Sequence, residues 1–232
     1  MYRSTLSQRQ VLRRSTLFAR LGDEETDHIL AHARIAKYAA GDQIVMKGDP
    51  GDSMMAVLNG HVSISAPSPD GRHVVLSVLH EGDIFGEIAL LDGKERTADV
   101  NALTECDILI VPRRSLWSLL ERRADICIDL MLVLCERLRH TNQQVEDLAF
   151  LDLGSRMAKV LVRLADESGA GTIQAKPVAV RISQRVLGEL VGGSRESVCR
   201  GRSKFRPLRR RKMQASSTDG SKGRMVLKAE WF

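Results

Sequence analysis

The sequence predicts an α+β chain in three consecutive parts: an all-β roll, barrel or sandwich, one long helix, and a small C-terminal domain that contains two short helices. Three observations carry that reading. Between residues 39 and 112, short β-prone runs are punctuated by glycines at 41, 48, 51, 60, 71, 82, 86 and 93, the texture of an all-β roll, barrel or sandwich. From about Ser115 to Ala165 there is no proline and one glycine, Gly154, and apolar residues recur at heptad spacing. Near residue 192, two short amphipathic segments flank a Gly-Gly pair. These changes of texture place domains at 1–114, 115–150 and 151–232.

Residues Val11 to Ala33 have helical character, with Leu17, Phe18, Leu21 and Ile29 as apolar positions. Strands are expected at Ile44-Val45, Met54–Leu58, Val62–Ser65, Val74–Leu79 and Val100–Val111, with Pro67, Pro69, Asp70 and Gly71 forming a hairpin tip. In the long helix, Cys127, Met131, Leu134, Leu138, Thr141, Val145 and Leu148 alternate spacings of four and three, the seam of two parallel helices, so a homodimer is expected. Thr141 is the polar member of that seam and would face the partner or something held between. Gly169, Gly171 and Pro177 mark the loop before the last domain.

Composition narrows the classes of function. At 43% hydrophobic and 28% charged residues the chain can build real cores, and no apolar run approaches the ~20 residues that cross a bilayer. Arg3, Arg9, Arg13 and Arg14 are not followed by a secretory apolar stretch, so a cytoplasmic protein without membrane contact is expected. Cys106, Cys127, Cys135 and Cys199 form no metal-ligand spacing, and His28 and His32, four apart, lack a third ligand. No metal is expected. Serines, histidines and acids are scattered without a nucleophile–base pattern, which argues against an enzyme. Eight cations lie between Arg200 and Lys212 with no acid among them, and without them the formal balance of +6 falls to −2. A local basic excess suggests a polyanion partner, although a solvated run would read the same way.

The densest motif runs G-D-I-F-G-E-I-A-L-L-D-G-K-E-R-T-A-D-V from Gly82 to Val100. Gly86 ends a strand and lets the backbone turn near a ligand. Glu87 to Leu91 form one short helical turn whose N–H groups favour an anion. Arg96 can grip a phosphate bidentately, and Thr97 adds a hydroxyl. Glu87 is discordant at an anion site unless it accepts hydrogen bonds from a sugar hydroxyl.

This block, F-G-E-x-A-L-x-x-x-x-x-R-T-A, resembles the phosphate-binding cassette of the cyclic AMP receptor protein and fumarate-nitrate regulator family of bacterial transcription regulators. The resemblance runs from about Leu12 to Arg200 and resumes near Arg224. It implies a cyclic-nucleotide-binding β-roll, a dimerisation helix and a winged helix-turn-helix. It implies that Gly86 and Glu87 meet a ribose hydroxyl, with Ile88 and Ala89 in the same cassette turn, while Arg96 and Thr97 hold a cyclic phosphate. Ile84 and Leu76 would line the pocket or the core. The stretch E-R-L-R-H-T-N-Q-Q-V-E-D-L-A-F-L-D-L is similar to the family's dimer helix. By that likeness Arg137 pairs with Glu87, Thr141 touches the adenine amino group, and Asn142 reaches ligand bound in the other subunit. Cyclic AMP is then the expected allosteric ligand, with cyclic GMP the other candidate. The iron–sulfur branch of the family needs cysteines near the N-terminus, and none precedes Cys106. Of the roll histidines, His73 and His80 are the loose candidates for a haem ligand, without supporting features.

The segment I-S-Q-R-V-L-G-E-L-V-G-G-S-R-E-S-V-C-R, Ile182 to Arg200, reads as two helices joined at Gly192-Gly193. Leu187, Leu190 and Val191 share one face, Ser194 is a natural N-cap, and Val198 returns to the core. Arginine can bond guanine and glutamate can accept from cytosine. The likeness to the family's recognition helix implies that Arg195, Glu196 and Arg200 meet base edges, while Ser183 and Ser194 touch phosphates. Double-stranded DNA with a palindromic site is the expected partner, with RNA polymerase beside it. The pattern then breaks. Pro207 would interrupt the helix, Arg209 to Lys212 is a charge run, and Gln214 to Ser221 reads as coil, before Gly223 to Leu227 returns as a last wing strand. An insertion or compensated reading-frame change across 201–221 explains such a break. It raises two alternatives: a nucleotide-binding protein with impaired or nonspecific DNA binding, and a ligand-independent regulator of the same fold.

Overall fold

In a computed structural model of the chain, residues 9, 12, 13, 15, 17–68, 73–165, 178–193, 195–204, 213–216 and 224–229 are described. They fall into two compact units, Met1–Thr141 and Asn142–Phe232. Composition set 115–150 apart as its own part. A lone helix buries little by itself, so its contacts divide it between the units it packs on.

In the first unit, α1 (Asp23–His32) is entered at Gly22, whose N–H donates to the Glu25 carboxylate at 2.9 Å, with Asp23, Glu24 and Glu25 all in the first turn. Acids there complement the helix dipole. The expected helical stretch Val11–Ala33 is therefore interrupted: Leu17 to Arg20 form turns. Two four-stranded antiparallel sheets follow. One has the order β1 (Arg34–Tyr38), β8 (Cys106–Pro112), β3 (Ser53–Asn59), β6 (Ile84–Phe85); the other has β2 (Gln43–Val45), β7 (Asp99–Ala102), β4 (Val62–Pro67), β5 (His73–Leu79). The run expected as one strand, Val100–Val111, is two. Strands β4 and β5 pair out to Pro67 opposite His73, and the tip residues Pro69, Asp70 and Gly71 lie outside the described residues.

Alternation explains how β3 and β8 serve two cores. Successive side chains point to opposite faces of a strand. Met54, Ala56, Leu109 and Val111 join Leu17, Phe18, Ile29, Leu116 and Ile126 in a core between sheet and helices. Met55, Val57, Ile108 and Ile110 join Val62, Leu79, Phe85 and Val100 inside the roll. Strands buried on both faces read as unbroken apolar runs, as these do. The short helix α2 (Glu87–Asp92) follows β6, and α3 (Arg113–Leu120) follows β8. The long helix α4 (Ala124–Phe150) begins after a break at 121–123.

In the second unit, Asp152 caps α5 (Leu153–Ala165) by accepting the Ser155 N–H at 2.7 Å. Strand β9 (Val178–Ser183) leads into α6 (Gln184–Val191) and α7 (Arg195–Lys204). Gly192 adopts φ +63° and the Gly193 N–H reaches the Gly188 carbonyl at 2.9 Å, closing the α6–α7 turn. Leu187, Val191 and Val198 are buried. A three-stranded sheet follows the order β10 (Met213–Ser216), β11 (Arg224–Ala229), β9. The expected coil from Gln214 is corrected at its start: Gln214, Ala215 and Ser216 pair with Lys228, Leu227 and Val226. Their weak intrinsic preference yields to a neighbouring ladder, as β-propensity commonly does. The loop at Gly169, Gly171 and Pro177, together with Pro207, Arg209–Lys212, 217–221 and Gly223, lies outside the described residues.

Candidate functional site

A cavity of about 410 Å³ opens in the first unit between the roll, α2 and α4. That is a small-molecule volume. Gly86, Glu87, Ile88, Ala89, Arg96, Thr97, Arg137 and Thr141 all line it, as do Leu76 and Ile84.

Gly86 is the pivot. It adopts φ +80°, and a Cβ there would lie 2.4 Å from the Arg96 Nη1. Only glycine both turns the chain this way and admits the guanidinium. Arg96 is buried, donating from Nη1 to the Gly86 carbonyl at 3.0 Å and from Nη2 to the Ser53 hydroxyl at 2.9 Å. Burial lowers its pKa, against the pull of Asp52, Asp49 and Glu87. A guanidinium starts so far above neutrality that it stays charged. Helix geometry leaves the N–H groups of Glu87, Ile88 and Ala89 without intrahelical acceptors at the start of α2.

Glu87 is 1% exposed. Its Oε1 pairs with Arg137 Nη1, while Arg137 Nη2 donates to the Ile84 carbonyl. The other carboxylate oxygen, Oε2, is buried and has no hydrogen-bond partner among the described residues. A buried acceptor left unmade costs about 1–3 kcal/mol, more when charged, so this atom suits a donor brought by a ligand. A sugar hydroxyl has that chemistry, and a nearby guanidinium suits a phosphodiester.

Val133, Glu136, Arg137, His140 and Thr141 are the cavity residues of α4, spaced as one helical face. Glu136 and His140 were not singled out from the sequence. The signal was present, since they complete the helical period around Arg137 and Thr141. The opposite face carries exposed Ile128, Met131, Leu132 and Leu138, with exposed Cys135 among them. The expected seam members Cys127 and Leu134 are half-buried, so over these turns the exposed stripe lies about one residue round from the heptad reading. Val145 and Leu148 are exposed, as are Thr141 and Asn142.

In the second unit, α7 presents Glu196, Cys199 and Arg200 at its exposed surface, while Val198 anchors the opposite side. Arg195 opens α7 and Ser183 ends β9, placed by backbone alone; Ser194 lies outside the described residues. Among the described residues no His, Cys, Asp and Glu cluster could hold a metal, and His32 instead donates from Nδ1 to the His28 carbonyl at 2.8 Å. No described helix is long and apolar enough to cross a membrane.

Comparison with known proteins adds sequence and structural kinship. The cyclic nucleotide-binding domain family matches residues 35–123. The CRP-like cAMP-activated global transcriptional regulator of Mycobacterium tuberculosis (strain CDC 1551 / Oshkosh) is 31% identical over 196 residues, 84% of this chain and 88% of that protein. The cAMP-activated global transcriptional regulator CRP of Escherichia coli O157:H7 is 31% identical over 185 residues, 78% of this chain and 88% of that protein. The solved structure of the c-di-GMP responsive global regulator CLP of Xanthomonas campestris is 26% identical, covers 90% of this chain and 100% of its own, and superposes with a TM-score of 0.76.

Proposed function

The chain belongs to the CRP/FNR family of transcriptional regulators, and from that premise we propose that it is a homodimeric DNA-binding regulator controlled by cyclic AMP. It is not an enzyme. The observation that carries the ligand reading is the buried Glu87 carboxylate, paired on one oxygen with Arg137 and unpartnered on the other, facing a cavity that Arg96 also lines. A ribose hydroxyl would donate to Oε2, the cyclic phosphate would be held by Arg96, Thr97 and the first N–H groups of α2, and Thr141 would meet the base. Asn142 would reach ligand in the other subunit. Nucleotides whose base edge Thr141 can serve as acceptor, adenine above guanine, are favoured.

The exposed apolar stripe of α4 supports a parallel dimer. In that dimer Arg195, Glu196 and Arg200 of each α7 would enter successive major grooves, about 34 Å apart, on a palindromic site. Ser183 and Ser194 would contact phosphates, and RNA polymerase would be the partner on promoter DNA. The reading with impaired DNA binding is weakened by β10, which gives the second unit a paired wing sheet where coil was expected. Fluorescence anisotropy of labelled palindromic DNA, titrated with and without cyclic AMP, tests the proposal. Tighter binding with the nucleotide is expected, and equal affinity in both series defeats ligand control.

A further inference from the structure

The cavity is short of positive charge for the ligand it would hold. Three carboxylates line it, Asp83, Glu87 and Glu136, against two guanidiniums, Arg96 and Arg137. Its formal balance is therefore one negative charge before any anion enters. A cyclic phosphodiester would add a second in a cavity where part of the wall is buried and Coulomb repulsion is poorly screened. Two of the carboxylates have their own engagements: Asp83 accepts the His80 N–H at 2.8 Å and Glu87 is paired with Arg137. Glu136 is exposed on α4, and four residues on, one turn along the same face, His140 also lines the cavity. A glutamate four residues N-terminal to a cation is the orientation in which helix pairs stabilise the charge.

We propose that His140 is a further ligand-binding residue, which takes up a proton as the cyclic nucleotide enters and supplies the missing positive charge. The inference rests on the cyclic-nucleotide reading above. Imidazole ordinarily titrates near 6.5, so a bound anion that raises its pKa makes binding proton-linked across neutral pH. Of the charged groups that line the same cavity, Glu87, Asp83 and Glu136 favour the imidazolium, whereas Arg96 and Arg137 oppose it. Binding is then tightest below the pKa of the free protein's imidazole. It weakens as pH rises, by at most about tenfold per unit for one proton, until the pKa of the complex is passed.

Calorimetry of the full chain with cyclic AMP from pH 5.5 to 8.5, in buffers of different ionisation enthalpy, reads both affinity and protons bound. The wild type is expected to take up a sizeable fraction of one proton near neutrality. His140→Gln should abolish that uptake and hold affinity at the wild type's high-pH level, and Glu136→Gln should shrink the uptake. His80, whose ring meets that of His61 edge to face at 4.9 Å elsewhere on the roll, is the control histidine, and His80→Gln must keep the uptake intact. Should His140→Gln fold poorly, the His140 ring proton followed by NMR in the wild type must titrate higher with cyclic AMP than without. Cyclic AMP binding with no proton uptake, or uptake that survives in His140→Gln, overturns this inference and leaves the nucleotide reading standing. Absence of cyclic AMP binding at every pH overturns both.

Discussion

Replacing Gly86 by alanine separates backbone strain from loss of the ligand grip. At φ +80° an alanine sits in the left-handed region, which costs about 1–2 kcal/mol. For a chain of this size that alone lowers Tm by about 2–8 °C. The added Cβ also meets Arg96 Nη1 at 2.4 Å, Met55 Cε at 3.1 Å and the Ser53 carbonyl at 3.3 Å. The guanidinium is the flexible end of its side chain, so it gives way, forfeiting its bonds to the Gly86 carbonyl and the Ser53 hydroxyl. A phosphate would then lose at least one charge-assisted contact worth about 1.5–3 kcal/mol, or about 10- to 150-fold in Kd. Gly41 provides the control. It adopts φ +97°, yet a Cβ there meets nothing within 4 Å. Gly41→Ala should therefore lose a comparable few degrees of Tm and keep wild-type affinity for cyclic AMP by calorimetry. Gly86→Ala with wild-type affinity, or Gly41→Ala losing affinity equally, would refute the assignment of Arg96 to the phosphate.

Arg123 donates to the Glu25 and Asp125 carboxylates at 2.6–2.9 Å, bridging α1 to the start of α4. Its hydrogen bonds hold Asp125 down to about 2 and lower Glu25 from 4.5. Depressed carboxylates stabilise the fold above their ordinary pKa and lose that contribution as pH falls through the lowered values. Thermal melts of Arg123→Ala should therefore match wild type more closely at pH 2 than at pH 6, with a small loss at pH 6 because the pair is solvent-screened. Leu138→Glu places a charge in the exposed stripe of α4, and sedimentation should show monomers at concentrations where the wild type is dimeric. Arg200→Ala should weaken palindromic DNA by about 1–3 kcal/mol with relaxed preference at one base pair, whereas a phosphate contact would weaken all sequences alike. Leu187, fully buried in the second unit, should cost about 2–5 kcal/mol of that unit's stability when cut to alanine, read from denaturant midpoints.

Sequence alone revealed most of the roll strands, because glycine or proline punctuates the runs and the central strands are apolar on both faces, but it merged β7 and β8 into one run. It did not reveal β1, since Arg34–Tyr38 is mostly exposed and becomes a strand by pairing with β8, Ile35 opposite Leu109. Met213–Ser216 escaped for the same reason: the ladder to β11 is non-local, and the four-residue window Met-Gln-Ala-Ser carries no trace of it. The break between α3 and α4 left no proline or glycine. Arg123 stands at it, tied to Glu25 98 residues away, which no local pattern registers. Of the cavity lining, Gly86, Glu87 and Arg96 belong to one contiguous motif that the sequence singles out. Ser53, which holds Arg96 from β3, was not, because a serine in a strand carries no sign of what it will meet.

Under the proposed function, the position of Thr141 gives a physical reason for α4 to be the element through which ligand would act. The helix presents Arg137 and Thr141 to the cavity and Met131, Leu132 and Leu138 to its surface, the cavity face as a whole lying about half a turn from the stripe. A helix is stiff over this length, so a rotation or slide that improves the cavity contacts moves the apolar stripe by the same amount. Packed helix pairs accept such movement in discrete steps rather than continuously. A ligand can shift that equilibrium only by its difference in affinity for the two arrangements, about 1.4 kcal/mol for each factor of ten. One hydrogen bond from Thr141, made in a single arrangement, contributes about 0.5–1.5 kcal/mol, a factor of about two to ten. Two subunits of the proposed dimer closing together would multiply it. Thr141→Ala should accordingly retain most of its affinity for cyclic AMP, because Arg96 and Glu87 remain, while the nucleotide's effect on DNA affinity falls toward unity. If the substitution weakened nucleotide binding and left the ratio of DNA affinities unchanged, Thr141 would be a simple ligand contact and the coupling would lie elsewhere.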